Sequence, residues 1–462
     1  MTIFSTRLFS WRQILIYTTV FVGLVISAQR GLRYVCEHWV AFDCPYYWPV
    51  SVFSFRVPSV ANIAMAAVVT VAFFLFARFI EIRRSGIAAT IIFGVLLIAG
   101  TTLSQGFDVG FVAPIAGDAQ DGKLVPFSLD GQEYFHDALT ITDPADFLRR
   151  YDVIQPTLHR HAHTHPPGTI LTFYFLIKLL RDPALIGIFL MLIATAGTVY
   201  FFNKLLLTEH SEVTSRYLSF LIVLLPAIQV YYLATIDAVI ATIVIAAIYL
   251  FCFGKGWKSV AGAAVLMTAS FLMTFVSLFM LPVMVGFDLI VRRSIRRSLI
   301  VVGTLAAVHL VFYFATGYDA LHAFRTASHF ENPDGFMLFV DPWNYFFTRI
   351  EDVSEILFFF GPFLIVLFVR GLKSYGGVKG ILASPLTVLT FLGCGTLPAM
   401  WAVGAFRTGE TARALAFIYP LMLFPVGRYL DQSEAGANER LQLAALVFLQ
   451  SVGMQAFGNY FW

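Results

Sequence analysis

The polar stretch from Gln105 to Pro167 concentrates groups able to move protons and hold anions. It carries Asp108, Asp118, Asp121, Asp130, Glu133, Asp137, Asp143 and Asp146, then His159-Arg160-His161-Ala162-His163-Thr164-His165-Pro166-Pro167. A carboxylate held at a lipid–water boundary can take a proton from a hydroxyl or amine as it attacks an activated carbon. Asp130, Glu133 and Asp118 are the candidates for that base. The same acids also suit the first turn of a helix over Asp130–Leu139, where the dipole favours negative charge. Some are therefore expected to be plain solvated charges.

Four of the ten histidines fall within seven residues. Alternation at i, i+2 fits an extended segment, and it admits a zinc reading with His161 and His163 as ligands, although a catalytic zinc needs a third ligand and an open position. The preferred role is recognition: N–H donors from His161, His163 and His165 hold phosphate oxygens or line a sugar pocket with Tyr134.

A second polar stretch, Phe406-Arg407-Thr408-Gly409-Glu410-Thr411-Ala412-Arg413, lies between two apolar runs. Arg407 and Arg413 beside Glu410 suit a lipid phosphate, since Arg pairs with phosphate in a bidentate, charge-assisted way. An Arg–Glu pair is the bland alternative. Asp237 opens an otherwise apolar run, either as a functional carboxylate or as a helix cap.

These groups must be positioned by membrane helices. Of 462 residues, 58% are hydrophobic and 13% charged, against about 25% charged in soluble domains, and the mean hydropathy is +0.78. Apolar runs are continuous, which fits helices and not the alternating strands of a barrel. They fall near 12–28, 59–80, 86–103, 168–180, 183–203, 217–234, 236–254, 259–275, 276–291, 298–315, 353–371, 381–402, 414–430 and 441–458. Net charge is +3, with Lys and Arg clustered at helix ends, so charge writes topology and implies no nucleic-acid partner.

Arg7 and Arg12 put the N-terminus in the cytoplasm, and the Arg292, Arg293, Arg296 and Arg297 cluster marks another inside turn. The loops 104–167, 316–352 and 403–413 then face outward, and so does the C-terminus. An inside start and an outside end need an odd number of crossings. About thirteen are expected, with 168–180 as the run that does not span, or 259–291 as one long tilted helix. The class is an all-α polytopic membrane protein whose large first outer loop contains short interfacial helices. Cys36 and Cys44 share an outer loop and either form a disulfide there or remain thiols. Cys252 and Cys394 lie in apolar runs and are expected to pack as small hydrophobes.

The order Asp130-x-x-x-Tyr134-x-x-x-Ala138, then His165-Pro166-Pro167, then Pro226 to Asp237, resembles the GT-C integral membrane glycosyltransferases, a superfamily that includes the protein O-mannosyltransferases and lipid A aminoarabinose transferases. Arg407 to Arg413 is similar to a Gly-Glu-x-x-Arg element in uncharacterised bacterial members. The resemblance covers residues 86–462 and leaves 1–85 as two extra N-terminal helices. It implies inverting transfer of a sugar from a polyprenyl-phosphate donor to a glycan, lipid or protein acceptor, with a loop acid as general base. It leaves a divalent metal ion open as cofactor. The composition is compatible with a bacterial inner membrane, the site facing the periplasm, and leaves the endoplasmic reticulum open.

A transporter or flippase of lipid-linked sugar is the rival class. It predicts charges along a path through the helices, whereas the apolar runs read as almost free of acids apart from Asp237 and Asp288 near their ends.

Overall fold

The computed structural model describes residues 8–39, 54–83, 86–117, 119–120, 123–124, 133–159, 161–405 and 411–459. Its main helices are α1 (Trp11–Trp39), α2 (Val60–Arg83), α3 (Ile87–Leu103), α4 (Glu133–Thr140), α5 (Gly168–Leu180), α6 (Pro183–Leu206), α7 (Glu212–Val223), α8 (Pro226–Tyr231), α9 (Ile236–Cys252) and α10 (Gly256–Met273). They continue as α11 (Met280–Phe287), α12 (Arg296–Thr316), α13 (Ala320–Glu331), α14 (Pro342–Phe360), α15 (Pro362–Lys373), α16 (Pro385–Cys394), α17 (Thr411–Ala414), α18 (Ile418–Ser433) and α19 (Ala437–Phe457). Extended pairing among the described residues is confined to two antiparallel contacts, Ser54–Phe55 with Gly458–Asn459 and Ala119–Gln120 with Lys123–Leu124.

This is a helical membrane protein. Seven stretches among the described residues are long and apolar enough to cross a bilayer, and an eighth arises if the bent pair α14 and α15 counts as one. α3, α5 and α9 are apolar but shorter. An apolar helix exposes its side chains freely here because lipid is the neighbour: Leu15, Leu24, Val68, Leu75, Val311 and Phe314 are all exposed.

Several expected single helices are broken, each at a residue that explains it. The run 217–234 divides into α7 and α8 at Pro226, which has no N–H to give. The carbonyls released around it find side chains. Ser451 Oγ donates to Leu224 O at 2.6 Å, Gln229 Nε2 donates to Val223 O, and Gln455 Nε2 donates to Gln229 O at 2.6 Å. Thr101 and Gln105 complete the network on Gln229 and Gln455. In an apolar bundle each such group left bare costs several kcal/mol, roughly, so five polar side chains of α3, α8, α19 and the turn after α3 are spent on one break.

The stretch 259–291 is not one helix. Thr274 takes an extended conformation and separates α10 from a 3₁₀ turn over Phe275–Phe279 that leads into α11. The run 353–371 bends by 98° between α14 and α15. Gly361 makes the elbow at φ +92°, a region open to glycine, and Pro362 pushes its predecessor away from helical geometry. In α18, Pro425 cannot donate to Leu421 O, and Thr390 Oγ1 does so instead at 2.7 Å.

The charged clusters separate onto two ends of the bundle. One end holds Glu81–Arg440 at 2.8 Å, His210–Asp431 at 2.9 Å and Asp288–Arg292 at 2.7 Å, together with Arg370 donating to Leu8 O at 3.1 Å. There Arg297 also donates to the carbonyls of Phe251 and Gly254, which close α9. The opposite end of α9 carries Asp237 in its first turn, about 21 Å from Phe251 at 1.5 Å per residue. α6 runs parallel to α9, with Gly187 beside Ala234 and Phe201 beside Tyr249.

Candidate active site

At the Asp237 end the chain assembles a buried polar seam from three segments that are distant in sequence. The loop before α5 supplies the first. Tyr151 O–H donates to His165 O at 2.5 Å, and Gln155 Nε2 donates to His163 O at 2.8 Å and to Ala323 O at 3.0 Å, so the histidine run is fastened from behind. α4 fastens it from the front. The Tyr134 ring meets His165 edge to face at 5.4 Å, and three residues on, Asp137 accepts from the His159 backbone N–H at 3.2 Å and contacts Nδ1 of its ring at 2.7 Å.

His165 Nδ1 lies 2.7 Å from His161 O, and a carbonyl can only accept, so Nδ1 carries hydrogen and Nε2 is the lone-pair nitrogen of the neutral ring. Burial lowers the His165 pKa to about 4, with Asp237 and the hydrogen bond to His161 O opposing it and the His161 and Arg413 charges acting in the same direction as burial. At neutral pH His165 is therefore an uncharged acceptor. The Tyr151 hydroxyl is held above its ordinary range by burial and stays a donor.

The second segment is the start of α9. Asp237 Oδ2 faces Arg413 Nε at 3.4 Å, the side chains 18% and 13% exposed. Arg413 belongs to the third element, the four-residue helix α17, and Thr411 at its start reaches in the other direction. The Thr411 backbone N–H and hydroxyl both donate to Glu355 Oε2, at 3.1 and 3.0 Å. One turn of helix thus ties Asp237 on α9 to Glu355 on α14.

α14 carries an acidic face that the sequence reading missed. Glu351, Asp352 and Glu355 have no exposed surface, where hydropathy places an outer loop over 316–352 and a span almost free of acids over 353–371. Asp352 Oδ2 accepts from Trp401 Nε1 at 2.8 Å and from Arg349 at 3.1 Å. The Arg349 guanidinium is set between the rings of Tyr345 and Trp401 at 4.7 and 5.7 Å and donates to Ala405 O at 2.9 Å. Asp352 Oδ1 and Glu355 Oε1 have no hydrogen-bond partner among the described residues. The i, i+1, i+4 spacing of these acids is the signal that one helix face was polar.

The positions expected from sequence are distributed unevenly over this arrangement. Tyr134, His161, His165, Asp237 and Arg413 come together. His163 turns aside, its ring stacked on Phe330 at 4.0 Å. Asp118, Asp130, Arg407 and Glu410 lie outside the described residues, as does the side chain of Glu133, which opens α4. Cys44 and the Cys36 side chain lie outside them as well. Asp143 caps the helix Pro144–Arg149 through Ala145 N at 2.9 Å, and Asp146 sits near Arg149 and Arg150 on the surface, so these two acids are structural. For the zinc reading, no three His, Cys, Asp or Glu among the described residues converge to hold a metal ion.

Comparison with known proteins finds no match. No family model fits the chain, and no curated protein or solved structure is similar to it.

Chemically, the seam presents a guanidinium held at an ion-pair distance, a neutral imidazole acceptor and buried carboxylates at one end of an apolar bundle. That combination suits a substrate with an anionic group at membrane level and a polar group to be deprotonated or held.

Proposed function

We propose that the chain is a membrane glycosyltransferase that moves a sugar from a polyprenyl-phosphate donor to an acceptor on the non-cytoplasmic face, with inversion. The observation that carries this reading is Arg413 on α17, a cation held 3.4 Å from Asp237 at the end of a bundle whose sides are apolar. A charged head group can be met there while its hydrocarbon tail stays in lipid. A phosphate approaching Arg413 gains a charge-assisted bond, and the leaving group's developing charge is stabilised in place. In its neutral tautomer His165 offers a phosphate no donor at Nε2 and suits a substrate hydroxyl instead.

The path of the chain supports the same orientation. Gly168 opens α5 against Leu272 O, at the end of α10, and α6 starts at Pro183 with Gly187 beside Ala234, so α5 enters and leaves on the Asp237 side. Its 13 residues extend about 20 Å, short of the roughly 30 Å hydrocarbon core. With α5 as a non-crossing helix, thirteen passes bring the Arg-rich turns to the cytoplasm and the seam to the outside, as positive-inside bias requires. In this reading 86–462 is the catalytic unit, and the membrane is a bacterial inner membrane with the site toward the periplasm.

The first N-terminal helix also has a use. An apolar cavity of about 420 Å³ lies between α1 and the α14–α15 elbow, lined by Tyr17, Phe21, Leu24, Leu357, Phe358 and Ile365 among others. Ser354 lines it too, one residue from Glu355, so an isoprenoid tail lying there has its head group near the seam.

The second reading, transport of a lipid-linked sugar, is favoured by one observation: the carboxyl groups of Asp352 and Glu355 are buried within a helix. Among the described residues of that helix no carboxyl group continues from them. Phe359, Phe360 and Leu364 follow with no exposed surface, and the next carboxylates belong to paired clusters at the far end. Transfer therefore remains the better fit. The test is a panel of radiolabelled polyprenyl-phosphate sugars offered to the purified protein with membrane-extracted acceptors. Sugar leaving the donor in the wild type and not in Arg413→Ala supports transfer; binding of the panel without turnover overturns it. Asp130→Asn, Glu133→Gln and Asp118→Asn, compared in the same assay, test the loop carboxylates as base.

A further inference from the structure

The described part of the outer loop contains one side-chain pair arranged to move a proton, and it joins a buried acid to a histidine. Asp137 is 5% exposed. Both of its oxygens contact His159, Oδ2 the backbone N–H at 3.2 Å and Oδ1 the ring Nδ1 at 2.7 Å. Fixing a ring by its backbone and one nitrogen together sets both its position and its tautomer: the hydrogen sits on Nδ1, facing the carboxylate, and any proton the ring takes up is taken at Nε2. The His159 side chain is 31% exposed, so its surroundings are neither dry core nor open solvent.

The pair belongs to the seam. Asp137 stands three residues after Tyr134 on α4, about 4.5 Å along the axis, and Tyr134 touches His165, which lies within the electrostatic reach of Asp237 and Arg413. A buried acid behind an oriented imidazole is the arrangement by which enzymes hold a general base in its working tautomer and stabilise the imidazolium that forms.

We propose that His159, positioned by Asp137, is the catalytic base of this site, taking the place assigned from sequence to a loop carboxylate. The assignment rests on the glycosyl-transfer reading above. In the step it describes, Nε2 accepts the proton of the acceptor hydroxyl as that oxygen bonds to the anomeric carbon. The bond from that carbon to the phosphate oxygen breaks, and its electron pair leaves with the polyprenyl phosphate. The imidazolium, paired with Asp137, then returns its proton to water.

The experiment uses the polyprenyl-phosphate sugar that the wild type turns over in the panel, with four proteins: wild type, His159→Ala, His159→Gln and Asp137→Asn. General-base loss lowers kcat by about 10²–10⁴-fold. His159→Ala is expected to fall by that factor while its affinity for the labelled donor stays unchanged, and added imidazole restores turnover to it. His159→Gln, which keeps a hydrogen-bonding side chain, stays slow. Asp137→Asn loses kcat less steeply and keeps donor affinity. Normal kcat in His159→Gln, or loss without imidazole rescue in a protein that still binds donor, overturns the assignment and leaves transfer standing. A wild type that turns over no donor overturns both.

Discussion

Arg413 Nε and Asp237 Oδ2 stand 3.4 Å apart, farther than the 2.7 Å of Asp288 and Arg292 at the opposite end of the bundle. The far-end pair is closed further by Ser298, whose backbone N–H and hydroxyl donate to Asp288 at 3.0 and 2.8 Å. One pair is built as a clasp and the other as a looser contact between elements that meet at the seam. Removing one carboxylate or guanidinium of a mostly buried pair takes away a charge the other faces, at a cost below the roughly 3–5 kcal/mol of a fully buried pair. Asp237→Asn is therefore expected to lower the melting temperature in detergent, and Asp237→Asn with Arg413→Gln to recover part of the loss. Arg413→Ala is expected to weaken donor binding by about 1.5–3 kcal/mol. Equal melting losses in the single and double variants, with donor affinity unchanged, would make the pair incidental to both folding and binding.

Thr411 is the joint between Glu355 and the helix that carries Arg413. Its hydroxyl donates to Glu355 Oε2 and to Asp352 O, at 3.0 and 3.1 Å. Thr411→Val keeps the shape and removes the donor, leaving two buried acceptors short, a loss of about 1–3 kcal/mol. Both melting temperature and donor affinity are expected to fall, because α17 loosens on α14. A variant that melts lower but binds donor as well as wild type would separate the joint from the site.

Hydropathy alone was enough to find most of the helices, because lipid exposure lets composition decide without help from packing. It could not find the joints. Pro226 reads as a tolerated proline until the side chains of Gln229, Ser451 and Gln455 are seen taking up the released carbonyls. The α14–α15 elbow was hidden because a run of apolar residues has the same hydropathy whether straight or bent by 98°. The site was legible where one short stretch held its residues, as at His161–His165. It was hidden where tertiary contact creates the meaning: Glu351 and Asp352 read as boundary charges, yet both are buried, and Asp352 is met by Trp401 of the helix Thr396–Ala402 and by Thr411 of α17.

Gly361 and Thr390 carry the two repairs that let apolar helices bend. A side chain at Gly361 meets φ +92° and a Cβ position in conflict with Gln450 Oε1. Gly361→Ala is expected to cost about 1–3 kcal/mol through that backbone strain. Thr390→Val leaves Leu421 O without its donor and is expected to cost about 1–3 kcal/mol. Gly361 lies at the α14–α15 elbow and Thr390 on α16, so their effects should add in the double variant. Thermal unfolding in one detergent measures both, and wild-type stability in either variant would remove the corresponding repair.

Acid should unfold the seam from His165. Burial holds its folded pKa near 4, against 6.5 for the free side chain. A group with a lowered folded pKa binds protons more readily when unfolded, so the native state loses ground as pH falls from about 6.5 and has lost the whole contribution below about 4. Above 6.5 neither state is protonated, and His165 contributes its full packing and its bond to His161 O. The charged and titratable groups facing it are Asp237, Arg413 and His161: Asp237 and the hydrogen bond to His161 O favour protonation, and the charges of His161 and Arg413 oppose it. His165→Gln keeps a donor for His161 O and cannot titrate. The melting-temperature advantage of wild type over this variant is expected to be greatest at pH 7 and to shrink steadily toward pH 4. An advantage that stays constant across that range would mean the folded ring takes its proton as easily as the unfolded one, and the neutral acceptor assigned to the seam would have to be replaced by a cation.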